Sequence, residues 1–220
     1  MQFFLDSAIL DEIKYGLEFL YIDGVTTNPR HVQTANKPFM TTIKEIAQLF
    51  KGTDKTVSVE VNPHLMDYDE IITEARKLAA ISPNFVIKLQ CVDAALKAVP
   101  ILKEEGIRSN VTLVFSAAQA LQAMRLGAYY VSPFLGWKES NGENTSRFLE
   151  DVMEIKARYG FDTQVIAAAI RTGHQIVTAA SLGVDIVTAG LAVYKDALDH
   201  PYTWEGIKRF SNFWDQTPYE

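Results

Sequence analysis

The chain has 220 residues, 48% of them hydrophobic, with 21 basic and 27 acidic side chains and a formal net charge of −6. That content supports one core of barrel size, and interspersed charge with no basic patch argues against a nucleic-acid role. No run reaches the roughly 18 apolar residues of a membrane span, the start lacks a leader's charged and apolar regions, and the lone Cys91 excludes an internal disulfide framework; a cytoplasmic protein is expected.

Short apolar strands alternate with amphipathic stretches along the whole length. The first strand, residues 2–5, ends at Asp6, and Ile9, Leu10, Ile13, Leu17 and Leu20 have helical spacing. A strand over 22–25 ends in Thr26-Thr27-Asn28-Pro29, and Pro38 opens a helix through Ile43, Ile46 and Phe50. In the strand 56–61, Val57, Val59 and Val61 alternate with Ser58 and Glu60. A helix over 67–80 precedes the apolar run Asn84-Phe-Val-Ile-Lys88-Leu-Gln90, and a helix over 94–103 follows it. Strand 109–114 and helix 117–125 come next, then strand 129–131, ending in Ser132-Pro133-Phe134-Leu135-Gly136-Trp137. A polar loop over 138–144 leads to a helix over 146–159, a strand over 163–168 before Arg171, a short helix over 176–182 and a strand over 185–188.

Eight strand–helix repeats predict an α/β fold, a single-domain (β/α)8 TIM barrel over 1–200 with a C-terminal helical extension over 201–220. An open doubly wound sheet is the alternative, but the Gly-rich dinucleotide turn after the first strand is missing. Active sites of such barrels lie at the C-terminal strand ends. Those ends carry Asp6, Thr27, Asn28, Glu60, Lys88, Asn110, Thr112, Ser132, Phe134 and Arg171. Singly, Asp6 reads as an N-cap, Asn28 as a turn former and Thr112 as an ordinary strand residue. Lys88 is different: an ammonium inside an apolar strand costs free energy unless it is paired, solvated or neutralised. A lysine at a strand end can also snorkel, yet its convergence with carboxylates on one face favours an amine that attacks a ketone and forms a Schiff base. Cys91 reads as a helix-start residue, and His31, His64, His174 and His200 lack metal-ligand spacing.

Several motifs in fixed order resemble the transaldolases: Asp6 after an apolar strand, Gly-Val-Thr-Thr-Asn-Pro at 24–29, Val-Ser-Val-Glu-Val at 57–61, Ile-Lys at 87–88, Asn-Val-Thr-Leu-Val-Phe-Ser at 110–116, Val-Ser-Pro-Phe-Leu-Gly at 131–136 and Asp-Thr-Gln-Val-Ile-Ala-Ala at 162–168. Length and spacing are similar to the small subgroup that includes the fructose-6-phosphate aldolases. The resemblance implies Lys88 as the Schiff-base lysine and Asp6 as the acid/base for the C4 hydroxyl. It implies Glu60 and Thr112 as holders of a relay water, with Thr27, Asn28, Asn110 and Ser132 around the dihydroxyacetone part. It implies no cofactor or metal and a ring-like homo-oligomer, a decamer, with an exchanged C-terminal helix. Glu60 and Phe134 are the transaldolase choices where the aldolases have glutamine and tyrosine, so a retained carbanion awaiting an aldehyde is expected.

The departures from the family pattern cluster, two of them where the resemblance implies a phosphate site. Trp137 stands in place of an arginine, Ala169 in place of a serine and Gln90 in place of a proline, while Arg30 follows Asn28-Pro29 and Arg171 is kept. A phosphate monoester carries close to two charges at pH 7; a sulfonate carries one. Exchanging an arginine for an indole N–H lowers the positive charge but keeps a donor. Arg171, Trp137 and Arg30 therefore suit a sugar sulfonate, with 6-deoxy-6-sulfofructose as donor and glyceraldehyde 3-phosphate as acceptor; an ordinary sugar phosphate is the alternative. A non-catalytic binding protein on the same fold is the other. Ile207, Phe210, Phe213 and Trp214 share a helical face that packs either on its own barrel or on a neighbour, and the resemblance favours a second copy.

Overall fold

Successive side chains of a strand face opposite ways, so each strand here feeds two cores. In the computed structural model, which describes residues 1–220, eight parallel strands close into a barrel in sequence order. They are β1 (Gln2–Asp6), β2 (Gly24–Thr26), β3 (Thr56–Glu60), β4 (Phe85–Gln90), β5 (Ser109–Val114), β6 (Tyr130–Pro133), β7 (Gln164–Ile170) and β8 (Ile186–Ala189). Leu5, Val57, Val59, Ile87, Leu89, Val111 and Val165 face outward into the large core shared with the helices. Inside, Phe4, Val86, Tyr130, Ile166 and Ile186 form a separate apolar plug. Gly24 is where that plug needs space: a Cβ there would sit 2.6 Å from the Phe4 ring and 2.7 Å from the Thr56 carbonyl oxygen.

The helices are α1 (Leu10–Tyr15), α2 (Pro29–Thr34), α3 (Phe39–Phe50), α4 (Tyr68–Ala79), α5 (Asp93–Glu104) and α6 (Ala117–Arg125), then α7 (Gly136–Ser140), α8 (Thr145–Tyr159), α9 (Gly173–Ser181), α10 (Leu191–Leu198) and α11 (Pro201–Trp214). The barrel and its extension match the expected architecture. Three short segments differ from expectation. The stretch after Asn28 is α2: the Asn28 side chain accepts from the His31 N–H at 3.0 Å and Pro29 fills the first helical position. The first three residues of the expected polar loop at 138–144 belong to α7. It is pinned by tertiary bonds that local polarity does not reveal, Glu139 accepting from Thr145 and from Gln175. The residues after β8 form α10, whose Tyr194 hydroxyl is shared between the Phe4 and Val187 carbonyls at 2.8 and 3.2 Å and so bridges the β8–β1 seam. No helix is long and apolar enough to cross a membrane.

Candidate active site

At the C-terminal ends of the strands opens a cavity of about 410 Å³. Asp6, Asn28, Arg30, Glu60, Lys88, Thr112, Ser132, Phe134, Trp137 and Arg171 all line it. Two residues expected at the substrate do not. Thr27 follows inward-facing Thr26 and so points the other way, its hydroxyl donating to the Ser58 carbonyl at 2.8 Å. Asn110 faces inward but one layer too deep. It pairs in register with Lys88, and its amide is consumed by Ser58 Oγ at 3.0 Å and by the Ser132 hydroxyl at 2.8 Å.

Lys88 rises from β4 to the cavity floor with only 5% of its side chain exposed. Its Nζ donates to the Thr27 carbonyl at 3.0 Å and lies 3.4 Å from Glu60 Oε2. A lysine at this depth is held by one dipole and one carboxylate, so the cost of burial is offset without filling the side of Nζ that faces the cavity. Strand register explains the pairing, since Glu60 of β3 sits beside Lys88 of β4. Thr112 enters from β5, and its hydroxyl is buried with no hydrogen-bond partner in the chain. An orphaned buried hydroxyl on the wall of a polar cavity suits a bound water, because buried polar groups are otherwise satisfied.

Asp6 ends β1 on the opposite wall. Burial pushes its carboxyl up, but the His31 side chain, the Lys88 charge and the Thr26 hydroxyl together hold it below the usual 3.8. His31 Nδ1 lies 3.3 Å from Asp6 Oδ1, and the Thr26 hydroxyl donates to the same oxygen at 2.7 Å. Thr26 has one hydroxyl proton and gives it to Asp6, so Thr188, 2.6 Å away, is the donor to Thr26. The carboxylate is thereby fixed by a chain of hydroxyls crossing from β8 through β2 to β1. His31, given no role by the sequence beyond lacking metal-ligand spacing, is a wall of the cavity.

Trp137 and Arg171 stand at the rim. The indole, half exposed, packs against Phe115 and Phe134 with ring centroids 5.8 and 5.6 Å away, the latter edge to face. Its N–H donates to no group of the chain. Arg171 donates to the Ser140 hydroxyl at 2.7 Å, and its own N–H is capped by the Gln175 side chain at 2.6 Å. Both β5 and β7 bulge on reaching the cavity, and Leu113 and Ala169 adopt φ of 57° and 56° there. Such left-handed backbone in non-glycine residues clusters at functional sites. Cys91 lies just past β4, where burial and then Asp93 push its thiol up, away from thiolate reactivity.

A family model described as transaldolase/fructose-6-phosphate aldolase matches residues 3–217. The chain belongs to that family. Among curated proteins, a Priestia megaterium protein named 6-deoxy-6-sulfo-D-fructose transaldolase is 49% identical over 99% of this chain and 96% of its own length. A probable transaldolase of Kosmotoga olearia is 44% identical over 98% of this chain and 97% of its own length, and one of Dictyoglomus turgidum 39% over 99% and 100%. The chain is therefore an enzyme of the transaldolase family. Thr26, Thr188, His31, Leu113 and Ala169 join the residues read from sequence as parts of its wall.

Proposed function

We propose that the chain is a Schiff-base transaldolase that takes 6-deoxy-6-sulfofructose as donor and glyceraldehyde 3-phosphate as acceptor. The observation that carries this reading is a buried lysine amine between two carboxylates, at the floor of a cavity whose rim holds Arg171, Arg30 and the free indole N–H of Trp137. The Priestia relative, by its name, acts on the same sulfo-sugar.

In this account the neutral Lys88 amine attacks C2 of the ketose. Overall, two of the three protons of the ammonium form end on the carbonyl oxygen, which leaves as water, and charge is conserved as ammonium becomes iminium. Glu60, with a water on Thr112, relays those protons. Asp6 then takes the C4 hydroxyl proton while the C3–C4 bond breaks, and sulfolactaldehyde departs. The electron pair moves into the iminium as an enamine, so no metal is needed to stabilise it. Asp6 suits this task because its partners keep it ionised. The acceptor aldehyde restores the C–C bond, Asp6 returns its proton, and water releases the product ketose. Ser132 and the amide of Asn28 would face the dihydroxyacetone hydroxyls. Arg171, Arg30 and Trp137 would take the sulfonate, with Phe134 holding the indole. Arg171 paired with the neutral indole N–H of Trp137 carries less positive charge than a pair of arginines, which suits a monoanion with three acceptor oxygens.

Offering fructose 6-phosphate and 6-deoxy-6-sulfofructose as donors, each with and without glyceraldehyde 3-phosphate, tests the reading. Acceptor-dependent turnover that favours the sulfo-sugar is expected. Preference for fructose 6-phosphate would reject the sulfonate assignment, and equal release of dihydroxyacetone without acceptor would reject transfer. The molecule is further proposed to work as a homo-oligomer joined through α11, with a decamer favoured by the family resemblance.

A further inference from the structure

We infer that Gln90 is a positioning residue for Schiff-base formation and hydrolysis, through its hold on Glu60. This rests on the Schiff-base reading above. Gln90 lies two residues beyond Lys88 on β4, so both side chains face the barrel interior. Its amide Nε2 donates to Glu60 Oε1 at 3.1 Å, while Lys88 Nζ approaches the other oxygen, Oε2, at 3.4 Å. Both carboxylate oxygens are acceptors, so only the NH2 end of the amide can face Glu60.

The consequence is a division of labour within one carboxylate. Oε1 is fastened by a neutral donor that does not titrate, and Oε2 is left with Lys88. On the next strand, Thr112 is the register partner of Gln90 and carries the buried hydroxyl that has no partner in the chain. Gln90 thereby fixes where Glu60 can hand a proton to a water on Thr112. It neither competes for the proton nor adds charge beside the lysine. Without it, the carboxylate can swing both oxygens onto the ammonium, which retains the proton that must leave before the amine attacks C2. Besides each other, the titratable and charged groups that share the cavity with Lys88 and Glu60 are Asp6, His31, Arg30 and Arg171.

Imine exchange and C3–C4 cleavage, which overall turnover merges, can be measured apart. Exchange of the C2 carbonyl oxygen with 18O-water reports imine formation and hydrolysis alone, and aldehyde release reports C3–C4 cleavage. For Gln90→Leu the expected result is oxygen exchange slowed by about 10- to 100-fold, the worth of one hydrogen bond to a charged group, with donor KM within about twofold of the unchanged protein. Gln90→Glu places a second carboxylate against Glu60, where the pair must share a proton to keep the contact. Exchange is therefore expected to recover as pH is lowered in Gln90→Glu but not in Gln90→Leu. Asp6→Asn is the opposite control: exchange kept, cleavage lost. Exchange in Gln90→Leu equal to that of the unchanged protein would overturn the inference while leaving the Schiff base intact. An unchanged protein that exchanges no oxygen would overturn the Schiff-base reading and Gln90's role together.

Discussion

At the residue scale, the site is a set of buried polar groups whose partners determine what each can do. His31 is the first test. Its removal takes from Asp6 the neighbour that most opposes burial, so the carboxyl of His31→Leu should rise and the acid limb of transfer should move to higher pH. The stability sign follows by linkage. A depressed folded pKa contributes stability above the unfolded value of 3.8, lost as pH falls through the folded value. His31→Leu should give up about 1 kcal/mol of it at pH 7, readable as a smaller difference in denaturant midpoint between pH 7 and pH 3. An unmoved acid limb would detach His31 from Asp6. Trp137→Phe is the second test, keeping the packing on Phe115 and Phe134 and deleting only the N–H. Donor KM for the sulfo-sugar should rise by about tenfold, the worth of one hydrogen bond to an anion; unchanged KM would mean that the ring serves by contact alone. Lys88 and Glu60 were legible because an ionisable residue in an otherwise apolar or alternating strand contradicts its surroundings. Thr26, Thr188 and His31 were not, since nothing local marks a strand threonine or a histidine after Asn-Pro as part of a carboxylate's setting.

Elements decide depth and aim, which sequence patterns give poorly. Alternation says which face a strand residue takes, but the stagger of neighbouring strands says how deep it lies. Asn110 and Thr112 share a face of β5, yet register places the first against Lys88 beneath the cavity and the second against Gln90 at its wall. The long strands and helices were legible from period and length. The short helices α2 and α7 were not, being held by an asparagine cap and by ties to Glu139 rather than by an apolar stripe. α7 also carries the sharpest steric constraint of the site. A Cβ on Gly136 would lie 2.2 Å from the Ala169 carbonyl oxygen and 3.0 Å from Arg171 Nε. Gly136→Ala must therefore push α7 off the β7 bulge and shift both Trp137 and Arg171. The expected outcome is a rise of about tenfold or more in donor KM with a sulfonate or phosphate tail. Borohydride trapping of dihydroxyacetone, which has no tail, should be nearly unchanged; equal losses on both would place the damage at Lys88 instead.

The whole molecule is a closed barrel with an exposed aromatic helix at its end. The barrel has no sheet edge to protect, and its interior is split into an apolar plug below and a polar chamber above. α11 buries none of its own residues and leaves Tyr202, Trp204, Phe210, Phe213 and Trp214 largely exposed. So much aromatic surface on one helix is unusual for a monomer, and such residues are favoured in interface cores. Truncation after Pro201 should reduce the assembly seen by light scattering and make thermal stability independent of protein concentration. A truncated protein of unchanged assembly would remove α11 from the interface.

The most direct measurement is borohydride reduction of the protein with 6-deoxy-6-sulfofructose, followed by peptide mass mapping. A dihydroxyacetone adduct on Lys88 is predicted, discharged when glyceraldehyde 3-phosphate is added before the reductant. An adduct on another lysine, or none under conditions of turnover, would contradict the account at its centre.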